Sequence, residues 1–515
     1  MSMTVSSAVR WWARQKPDQV ALIVGDDSAT YAELENWTSR VARSLAERGV
    51  REGDVIGVIG RNTLEWAVTA VAAVKLGAVL LPLNNRFKRR ELAGVISQMG
   101  ARVVLGDTDF TGTFAGMRLT EAGGAPGPDD SGAVEFIPLS WVSERRDGAP
   151  DQYRGDRDPG EAMLIMLTSG STGRPKGVIY TNTSILAMIF EWSLMEETVR
   201  PGIRIFLPVP FAFAPGTVWG LMRTMTLGGT LVFQSRFDAS EAIELLQKHD
   251  VQVCLGGPII YEQMARTPAF ETAKFPHLRT AITGGARVPV ELLRTWLDKG
   301  LAIRQLYGMS EVGGITTATT AGDAFDHPDS CGYGGIFSEF KVVRPDGTEC
   351  GPGEEGEILS RTSGATPGYW NDPQQTASLL RDGWIHSKDV GYVTEDGRLK
   401  FVDRAKDLII SGGINISPAE IESVIGMIPG VEEVVVISAP NDKYGEVPAA
   451  IVRLSGGTTV SQVLAVCNEQ LADFKVPRFI VDRVDPLPRL ASGKIAKTAV
   501  RAEYPDISAT FPPVR

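Results

Sequence analysis

The sequence has few cysteines and histidines, and neither residue type forms a cluster. The four cysteines, Cys254, Cys331, Cys350 and Cys467, are widely spaced and include no CxxC pair. This spacing argues against a disulfide framework and against a structural zinc site. The four histidines are equally scattered, so they form neither a HxxxH metal pair nor an obvious catalytic triad.

A long uninterrupted apolar run is also missing. The most apolar stretch, residues 66–83, is broken by Lys75, Gly77 and Pro82. It is predicted to form a buried helix followed by a buried strand and not a membrane span. The N-terminal residues have no apolar core of the signal-peptide type, and the C-terminal FPPVR is no peroxisomal address. Together with the unpaired cysteines, these absences favour a cytoplasmic protein.

Positive charge is in deficit, because 52 lysines and arginines face 62 aspartates and glutamates, for a net charge of -10. Nucleic-acid binding depends largely on basic residues that neutralise phosphates, so this balance argues against a nucleic-acid binder. The 515 residues are 43% hydrophobic and 22% charged. These proportions are typical of a soluble globular protein with a sizeable core and several domains.

Apolar strand-like runs such as VIGVIG (55–60) and AVLLPL (78–83) alternate with amphipathic helical patterns. This alternation predicts an α/β fold in which helices cover both faces of parallel sheets. Beyond about residue 330, turn dipeptides between short alternating runs predict antiparallel β structure. We therefore predict a large N-terminal domain with a β-rich subdomain, residues 1–405, and a small mobile α+β domain, residues 406–515.

A loop rich in glycine and hydroxyl residues, TSGSTGRPKG (168–177), follows the apolar run 163–167, which is predicted to be a buried strand. Such a loop can direct backbone N–H groups and hydroxyls toward an anion, and its lysine adds a mobile positive charge. An ordinary turn is the simpler alternative, because glycine and serine are common in turns. The loop is not a Walker A motif, since Pro175 replaces the second glycine and Gly177 replaces the Ser or Thr after the lysine.

Eight further motifs accompany this loop along essentially the whole chain. They are ATYAEL (29–34), KLGAVLLPLN (75–84), GGARVP (284–289), YGMSE (307–311), GEILSR…GYW (356–370), GWIHSKDVGY (383–392), DRAKDLIISGGINISPAEIE (403–422) and PRLASGKIAK (488–497). In this order, the series resembles the adenylate-forming superfamily, which includes acyl-CoA synthetases, peptide-synthetase adenylation domains and beetle luciferases. One such motif alone would be weak, but the complete series is specific.

The resemblance implies an AMP-forming acid–CoA ligase that uses ATP, Mg²⁺, coenzyme A and a small-molecule carboxylic acid. In that reaction the carboxylate attacks the α-phosphate of ATP, which gives acyl-AMP and pyrophosphate. The thiol of coenzyme A then takes the acyl group. Because charge accumulates on phosphate oxygens, catalysis would rest on positioning and on electrostatic stabilisation.

The resemblance also assigns residues to the nucleotide site. The loop residues and Lys176 would bind the β- and γ-phosphates, and Tyr307 would stack on the adenine. The full set is Thr168, Ser169, Gly170, Ser171, Thr172, Gly173, Lys176, Gly284, Gly285, Ala286, Tyr307, Gly308, Met309, Ser310, Asp389, Arg404 and Lys494.

Lys494, Glu311 and Thr168 are the residues that the resemblance assigns to catalysis. Lys494 would bridge the substrate carboxylate and the α-phosphate, a role that suits a single flexible cation. Glu311 would ligate Mg²⁺, which proteins usually hold with one or two carboxylates plus substrate phosphates. Lys406 matches the family's hinge position, about which the C-terminal domain rotates between its adenylating and thioester-forming poses. The pair Gly412–Gly413 would face the pantetheine tunnel of coenzyme A.

Asp389 would bind both ribose hydroxyls, with assistance from Arg404. The sequence departs from the family here, because the usual Thr-Gly before this aspartate is Ser387-Lys388. Lysine in place of glycine could alter the geometry of the turn or the affinity for the nucleotide.

The segment PVPFAFAPGTVWG (208–220) stands where the acyl pocket of the family begins, with Phe213 in the place of a frequent histidine. Phe211, Phe213, Ala214 and Trp219 are predicted to form an apolar pocket wall, although aromatic residues at such spacing are often ordinary core. This wall favours an apolar acid of aromatic, alicyclic or medium-chain type. No acidic residue stands where amino-acid-activating domains place one, which argues against a peptide-synthetase domain.

Three alternatives remain at this stage. An acyl-AMP ligase that loads an acyl carrier protein is the nearest, although such enzymes usually carry an insertion that we do not detect in this sequence. A P-loop-type ATPase or kinase would release ADP instead of AMP and pyrophosphate. A nucleotide-binding module without turnover is disfavoured by the presence of Lys494, Glu311 and Asp389. A homodimer is compatible with the sequence.

Overall fold

The computed structural model describes residues 3–119, 132–155, 157–168, 175–284, 288, 290–328, 330–404, 407–411, 414–441, 443–489 and 494–515. Contacts divide the chain into two compact units. The first comprises Met1–Phe340 and Ser360–His386, and the second comprises Lys341–Leu359 and Ser387–Arg515. The domain boundary between residues 405 and 406 stays a prediction.

Twenty-five strands lie in the described part of the chain. They are β1 (Val20–Val24), β2 (Asp27–Thr30), β3 (Val55–Ile59), β4 (Val79–Leu83), β5 (Val103–Gly106), β6 (Glu135–Pro138), β7 (Ala162–Thr168), β8 (Lys176–Thr181), β9 (Arg204–Leu207), β10 (Thr230–Phe233), β11 (Val253–Leu255), β12 (Thr280–Gly284), β13 (Ile303–Tyr307), β14 (Thr317–Ala318), β15 (Tyr333–Gly334), β16 (Glu339–Val343), β17 (Gly356–Arg361), β18 (Leu380–Arg381), β19 (Trp384–Val393), β20 (Leu399–Arg404), β21 (Ile409–Ser411), β22 (Ile414–Ile416), β23 (Val431–Asn441), β24 (Gly445–Leu454) and β25 (Phe479–Asp482).

Eighteen α-helices lie in the same described residues. They are α1 (Val5–Gln15), α2 (Tyr31–Glu47), α3 (Leu64–Leu76), α4 (Arg89–Met99), α5 (Thr111–Phe114), α6 (Ser140–Ser143), α7 (Asn182–Met195), α8 (Arg223–Thr226), α9 (Ala239–Lys248), α10 (Pro258–Ala265), α11 (Pro268–Thr272), α12 (Val290–Leu297), α13 (Asp323–Asp326), α14 (Pro373–Leu379), α15 (Pro418–Gly426), α16 (Val460–Gln470), α17 (Lys497–Glu503) and α18 (Ile507–Thr510).

The first unit contains two large sheets that are mostly parallel. A nine-stranded sheet has the order β15-β14-β13-β12-β11-β9-β10-β1-β2, and a six-stranded sheet has the order β6-β5-β3-β4-β7-β8. Strands β7 and β8 pair antiparallel, as do β13 and β14, whereas β3, β4, β5 and β6 pair in parallel.

A further five-stranded sheet has the order β16-β17-β19-β18, with β20 paired to β19.

Both faces of the six-stranded sheet are buried. Along β3, Ile56 and Val58 join the large core cluster that contains helices α2 and α3, while Val55 and Ile59 join a separate cluster with α4. Successive side chains of a strand point to opposite faces, so each face of β3 has its own helical layer. The predicted α/β class, with parallel sheets covered on both sides, is therefore confirmed.

The apolar stretch 66–83 forms most of helix α3 and all of strand β4. Thr63 caps the start of α3 by accepting a hydrogen bond from the Trp66 amide, and Gly77 ends it in a left-handed conformation with φ of 84°. The interruptions seen in the sequence are thus the end of a helix and the turn into a strand. No helix in the described residues is long and apolar enough to cross a membrane.

The second unit contains a five-stranded sheet of order β22-β21-β24-β23, with β25 paired to β24. Along β23, Val436 packs into a cluster with α15 and α16, whereas Val435 and Ile437 pack into a cluster on the opposite face with α17 and α18. This alternation is that of a strand covered on both sides. All four cysteines of the chain are free thiols.

Candidate active site

The glycine-rich loop connects two antiparallel strands. Thr168, at the end of β7, is the Cα partner of Lys176, at the start of β8. The apolar run before the loop is buried in β7, as predicted. The loop residues Ser169, Gly170, Ser171, Thr172 and Gly173 lie outside the described residues, so their phosphate-binding role stays a prediction.

The carboxyl ends of two neighbouring parallel strands place the adenine motifs side by side. Gly284, the last residue of β12, pairs with Leu306 of β13, so it lies next to Tyr307. A β-carbon at Gly284 would approach the Leu306 side chain to 2.5 Å, so a larger residue there would require that side chain to move. Ligands of α/β sheets bind outside the carboxyl ends of the strands, as expected for these two motifs. Gly285 and Ala286 lie outside the described part of the chain.

Glu311 lies in a single turn of 3₁₀-helix, Ser310–Val312, that follows β13 after Gly308 and Met309. Its residue exposure is only 6%, and its Oε1 accepts a hydrogen bond of 2.8 Å from the hydroxyl of Tyr369. The turn is also held by Tyr180 of β8, whose hydroxyl donates to the Ser310 carbonyl at 2.7 Å. Tyr180 therefore connects the strand after the phosphate loop to the turn that carries Glu311.

Tyr369 links two of the predicted site residues. Its backbone forms an antiparallel bridge to Val178 of β8. Its hydroxyl reaches Glu311, while the Lys176 ammonium lies 4.8 Å from the centroid of its ring. The same ammonium donates to Gln375 Oε1 at 2.8 Å. A cation over a tyrosine ring is held by the ring quadrupole, so one side chain positions both the lysine and the carboxylate.

Tyr369 is not among the site residues predicted from the sequence. It lies in the motif GYW (368–370), but a tyrosine far along the chain from both Lys176 and Glu311 gives no pairing signal by itself. Burial raises the pKa of Tyr369 above its ordinary range, and the nearby charge of Glu311 raises it further. The hydroxyl thus stays protonated and acts as a donor to the Glu311 carboxylate.

The donor set around Glu311 suits a hard divalent cation that also binds phosphate. No group of three or more His, Cys, Asp or Glu side chains that could hold a metal occurs in the described residues. A complete protein cage for a cation is therefore absent from that part of the chain, whereas Mg²⁺ commonly takes one or two carboxylates and completes its shell with phosphates and water. Glu311 would be the carboxylate that holds such an ion, and its Oε1 accepts a hydrogen bond from the Tyr369 hydroxyl.

The predicted acyl-pocket residues fall into two groups. Trp219 lies in a π-helical segment, Pro215–Met222, and its indole Nε1 donates to the Gly313 carbonyl at 3.1 Å. It is thereby attached to the loop that follows Glu311. Phe211 instead stacks on Trp66 with ring centroids 4.9 Å apart and is fully enclosed in the core. Of the other two, Ala214 is buried and Phe213 is half-buried.

Asp389 and Arg404 lie opposite each other in the second unit, as Cα partners on β19 and β20. Arg404 Nε is 3.6 Å from Asp389 Oδ1, and the Asp389 amide donates to the Ser387 hydroxyl at 3.0 Å. Lys388 has a left-handed backbone with φ of 60°, and its amide donates to Glu357. A glycine adopts that conformation without strain, which explains why the family has glycine there. In this chain a lysine adopts it.

Lys494 belongs to the same unit and interacts electrostatically with this pair. Although much of the residue is accessible to solvent, nearby protein atoms lower the pKa of Lys494. Arg404 lowers it further, and Asp389 raises it. The structure thus places the three charges assigned to ribose and carboxylate recognition near one another. Lys406, Gly412 and Gly413 lie outside the described residues.

Two protein-family models match most of the chain. The model for the AMP-binding enzyme family matches residues 9–370, and the model for the AMP-binding enzyme C-terminal domain matches residues 420–494. The chain belongs to the AMP-binding enzyme family. This enzyme is therefore an adenylate-forming acyl-CoA synthetase, as the series of motifs predicted.

Similar proteins match this enzyme over nearly the whole length of both chains. A feruloyl-CoA synthase from Amycolatopsis sp is 34% identical over 96% of this chain and 97% of that protein. The long-chain-fatty-acid–CoA ligase FadD13 from Mycobacterium tuberculosis is 34% identical over 95% of each chain. The structure of O-succinylbenzoate coenzyme A synthetase from Bacillus subtilis, in complex with ATP and magnesium ion, is 28% identical over 96% of this chain and 99% of that chain, with a TM-score of 0.86.

These similarities establish the reaction class. The enzyme is an AMP-forming acid–CoA ligase that uses ATP, Mg²⁺ and coenzyme A. The predicted class and its cofactors are thereby confirmed, and the P-loop ATPase and the module without turnover are excluded. The roles of individual residues remain predictions.

Proposed function

We propose that this ligase activates an acid with an apolar body, of aromatic, alicyclic or medium-chain type, and that Lys176 and Glu311 act together on its ATP. We base these roles on two contacts of Tyr369: its hydroxyl donates to Glu311, and its ring lies under the Lys176 ammonium. A lysine at the end of a glycine-rich loop and a buried carboxylate beside it can hold the two ends of a polyphosphate–Mg²⁺ unit. Positioning of this kind is the main source of catalysis in reactions at phosphorus.

In the first half-reaction, Lys176 and the loop that begins at Thr168 hold the β- and γ-phosphates, and the leaving pyrophosphate retains these contacts. Bound to Glu311, Mg²⁺ would supply charge neutralisation at the phosphate oxygens. Tyr307 and Gly284 bind the adenine outside the ends of β13 and β12. The low accessibility of Glu311 limits competition from water for its carboxylate.

Separate roles are proposed for residues of the second unit. Asp389 accepts hydrogen bonds from the two ribose hydroxyls and is oriented by Arg404. Lys494 stabilises the negative charge that develops between the attacking carboxylate and the α-phosphate. In the thioester-forming half, Lys406 acts as the hinge, and Gly412 and Gly413 leave space for pantetheine.

The acid class is supported by two observations. The indole of Trp219 is held against the loop after Glu311 by its hydrogen bond to the Gly313 carbonyl, and apolar walls with few polar groups are typical of small-molecule sites. The relatives named above act on feruloyl and long-chain fatty acyl groups, both of which contain an apolar body. We further propose that the enzyme acts in the cytoplasm, where its four free thiols would stay reduced, and that it forms a homodimer, which sedimentation would test.

Pyrophosphate release tests the proposed substrate class. The purified enzyme is supplied with ATP and Mg²⁺ and a panel of benzoates, cinnamates, cyclohexanecarboxylates and straight-chain acids, with and without coenzyme A. We expect release that depends on the acid, with an acyl-CoA product identified by mass spectrometry. Release without an acyl-CoA product would favour transfer to a carrier protein, and no release with any apolar acid would contradict the proposed substrate class.

Tyr369→Phe should raise the Mg²⁺ concentration required for half-maximal adenylation, with a loss of activity of about tenfold at limiting Mg²⁺. The reason is that the hydroxyl orients Glu311, and loss of a residue that orients a metal ligand commonly costs about 10–100-fold in affinity or activity. The ring, and with it the contact to Lys176, is retained. Initial rates of pyrophosphate release across a Mg²⁺ titration measure the effect.

Tyr180→Phe is the matched control for that variant. In the wild type, the Tyr180 hydroxyl donates to the Ser310 carbonyl of the same turn and not to the Glu311 carboxylate. Both variants lose one buried hydrogen bond and should lose about 1 kcal/mol of stability. Only Tyr369→Phe should change the Mg²⁺ requirement, and an equal change in both variants would show that Tyr369 merely stabilises the turn.

A further inference from the structure

Two short paired segments of the second unit support Lys494. Arg489 and Ile495 form an antiparallel bridge, and the Ala496 amide donates to the Pro488 carbonyl at 2.8 Å. We call these two segments the lysine base, residues 487–489 and 495–496. Because Ile495 directly follows Lys494, the pairing within the lysine base fixes the backbone from which the Lys494 side chain extends.

Glu433 of β23 attaches the lysine base to the sheet of the second unit. Its Oε1 accepts a hydrogen bond from the Arg489 guanidinium, and its Oε2 accepts one of 2.8 Å from the Leu487 amide. The same Oε2 accepts from Arg453 of β24 at 3.2 Å. Both oxygens of one carboxylate therefore contact the lysine base, while Arg453 links that carboxylate to the neighbouring strand.

A carboxylate in this position has a cost that an apolar side chain would not have. The Glu433 side chain is only 8% exposed, and an ion removed from water destabilises the fold unless partners compensate. Burial acts to raise the pKa of Glu433, but the Leu487 amide and Arg489 lower it below its ordinary range. The side chain is thus charged at neutral pH. An apolar residue could fill the space, but it could not fix the amide and the guanidinium in one place.

Glu433 also lies directly after a β-bulge in β23. Val431 pairs with Leu454 and Glu433 pairs with Arg453, which leaves Glu432 as the extra residue. Bulges re-aim side chains and are common next to active sites. Glu432 forms an ion pair of 2.8 Å with the same Arg453, and its side chain is 39% exposed. The two adjacent glutamates thus share an arginine, and Glu433 adds the contacts to the lysine base.

We propose that Glu433 is a positioning residue for adenylation, and that it holds Lys494 near Asp389 through the lysine base. This inference rests on the proposed function, in which Lys494 is the cation of the first half-reaction. Lys494 interacts electrostatically with Asp389 and Arg404, so a fixed base keeps its ammonium beside the residues assigned to the ribose. A displacement of about 1 Å can cost about 100-fold in rate. Lys494 has no proposed role in thioester formation, so Glu433 has none there either.

Glu433→Gln should lower acid-dependent pyrophosphate release by about tenfold or more, because the amide lacks the charge that holds Arg489 and lets Lys494 shift. Conversion of synthetic acyl-AMP with coenzyme A should be largely retained. Glu432→Gln is the matched control, since it removes a carboxylate from the same bulge and the same arginine, and it should retain both half-reactions. Equal losses of both half-reactions in Glu433→Gln, or wild-type adenylation, would overturn the proposal.

Arg489→Met removes the same contact from the other side. The Arg489 side chain is 42% exposed, and its bridge to Ile495 is formed by the backbone, so we expect this variant to fold. It should reproduce the selective loss of adenylation. If Glu433→Gln does not fold, Arg489→Met decides the question, because unchanged adenylation in that variant would refute the proposed contact.

Competitive acetylation of Lys494 across alkaline pH, read by mass spectrometry, tests the positioning without relying on catalysis. The surroundings of Lys494 and the charge of Arg404 lower its pKa. Release of the lysine base in Glu433→Gln should therefore raise the pKa of Lys494 toward its ordinary value, and Glu432→Gln should not. An unchanged pKa in Glu433→Gln would overturn the proposal, because Lys494 would not have moved. A raised pKa, combined with normal adenylation by Lys494→Ala, would support the positioning and reject instead the role proposed for Lys494.

Discussion

Lys494→Ala should abolish adenylation while largely sparing thioester formation from supplied acyl-AMP. The cation is proposed to stabilise charge between the acid carboxylate and the α-phosphate only in the first half-reaction. Removal of one such electrostatic contact typically lowers kcat by about 100–1,000-fold. Acid-dependent pyrophosphate release measures the first half, and conversion of synthetic acyl-AMP with coenzyme A measures the second.

A surface lysine of the same unit provides the comparison. Lys443 is exposed, and its ammonium lies over the ring of Tyr444, so Lys443→Ala should retain both half-reactions. Equal losses of both half-reactions in Lys494→Ala would refute the division of labour between the two steps. The pKa of Lys494 is lowered by its surroundings and by Arg404, yet a role as a cation requires that it stay protonated. Adenylation by the wild type should therefore fall as Lys494 deprotonates at alkaline pH.

The sequence predicted the helix ends and the buried strands, because these depend on residues that are neighbours along the chain. The interruptions in residues 66–83 marked the end of α3 and the start of β4, since a glycine C-cap and a proline are read from a few neighbouring residues. The alternation of apolar strands and amphipathic helices predicted covered parallel sheets for the same reason. The position of the phosphate loop after a buried strand was equally visible in the sequence.

Contacts between distant segments were not predictable in this way. Tyr369 meets Lys176 and Glu311 only because its segment bridges to β8 beside the turn after β13. The motif GYW is visible in the sequence, but the residues that Tyr369 contacts are not. Arg223 is a second case, since the sequence gives no signal that this arginine is buried, and only the three-dimensional structure shows that its guanidinium has no hydrogen-bond partner among the described residues. Conversely, Phe211 was predicted to line the acyl pocket, and its contacts are those of the core.

Lys388 shows that a sequence motif does not contain every contact that supports its own backbone conformation. The change from the usual glycine could alter the geometry of the turn or the affinity for the nucleotide, and in this structure Lys388 has a left-handed backbone. Hydrogen bonds from the Lys388 amide to Glu357 and from the Asp389 amide to Ser387 stabilise it. A strained residue persists where its surroundings over-determine the conformation, and such support comes from a neighbouring strand that the motif does not include.

Glu311→Gln should lower adenylation by about 100-fold or more and raise the Mg²⁺ requirement, because an amide oxygen lacks the charge that a hard cation prefers and metal-ion charge stabilisation is worth several kcal/mol. The substitution is nearly isosteric, and the Tyr369 hydroxyl can still donate to the amide oxygen. The turn Ser310–Val312 should therefore persist. Thermal unfolding monitors the fold, and pyrophosphate release across a Mg²⁺ titration monitors the site. Glu291→Gln, at an exposed carboxylate of α12, is the control.

The double variant Glu311→Gln/Tyr369→Phe decides whether the tyrosine works through the carboxylate. If Tyr369 only orients Glu311, its hydroxyl has no further effect once the charge is gone, and the double variant should be about as active as Glu311→Gln alone. Residues that act as a unit show this non-additivity, whereas independent effects multiply. A further tenfold loss in the double variant would mean that the hydroxyl acts on the nucleotide directly. Tyr369 would then be a substrate-binding residue instead of a positioning one.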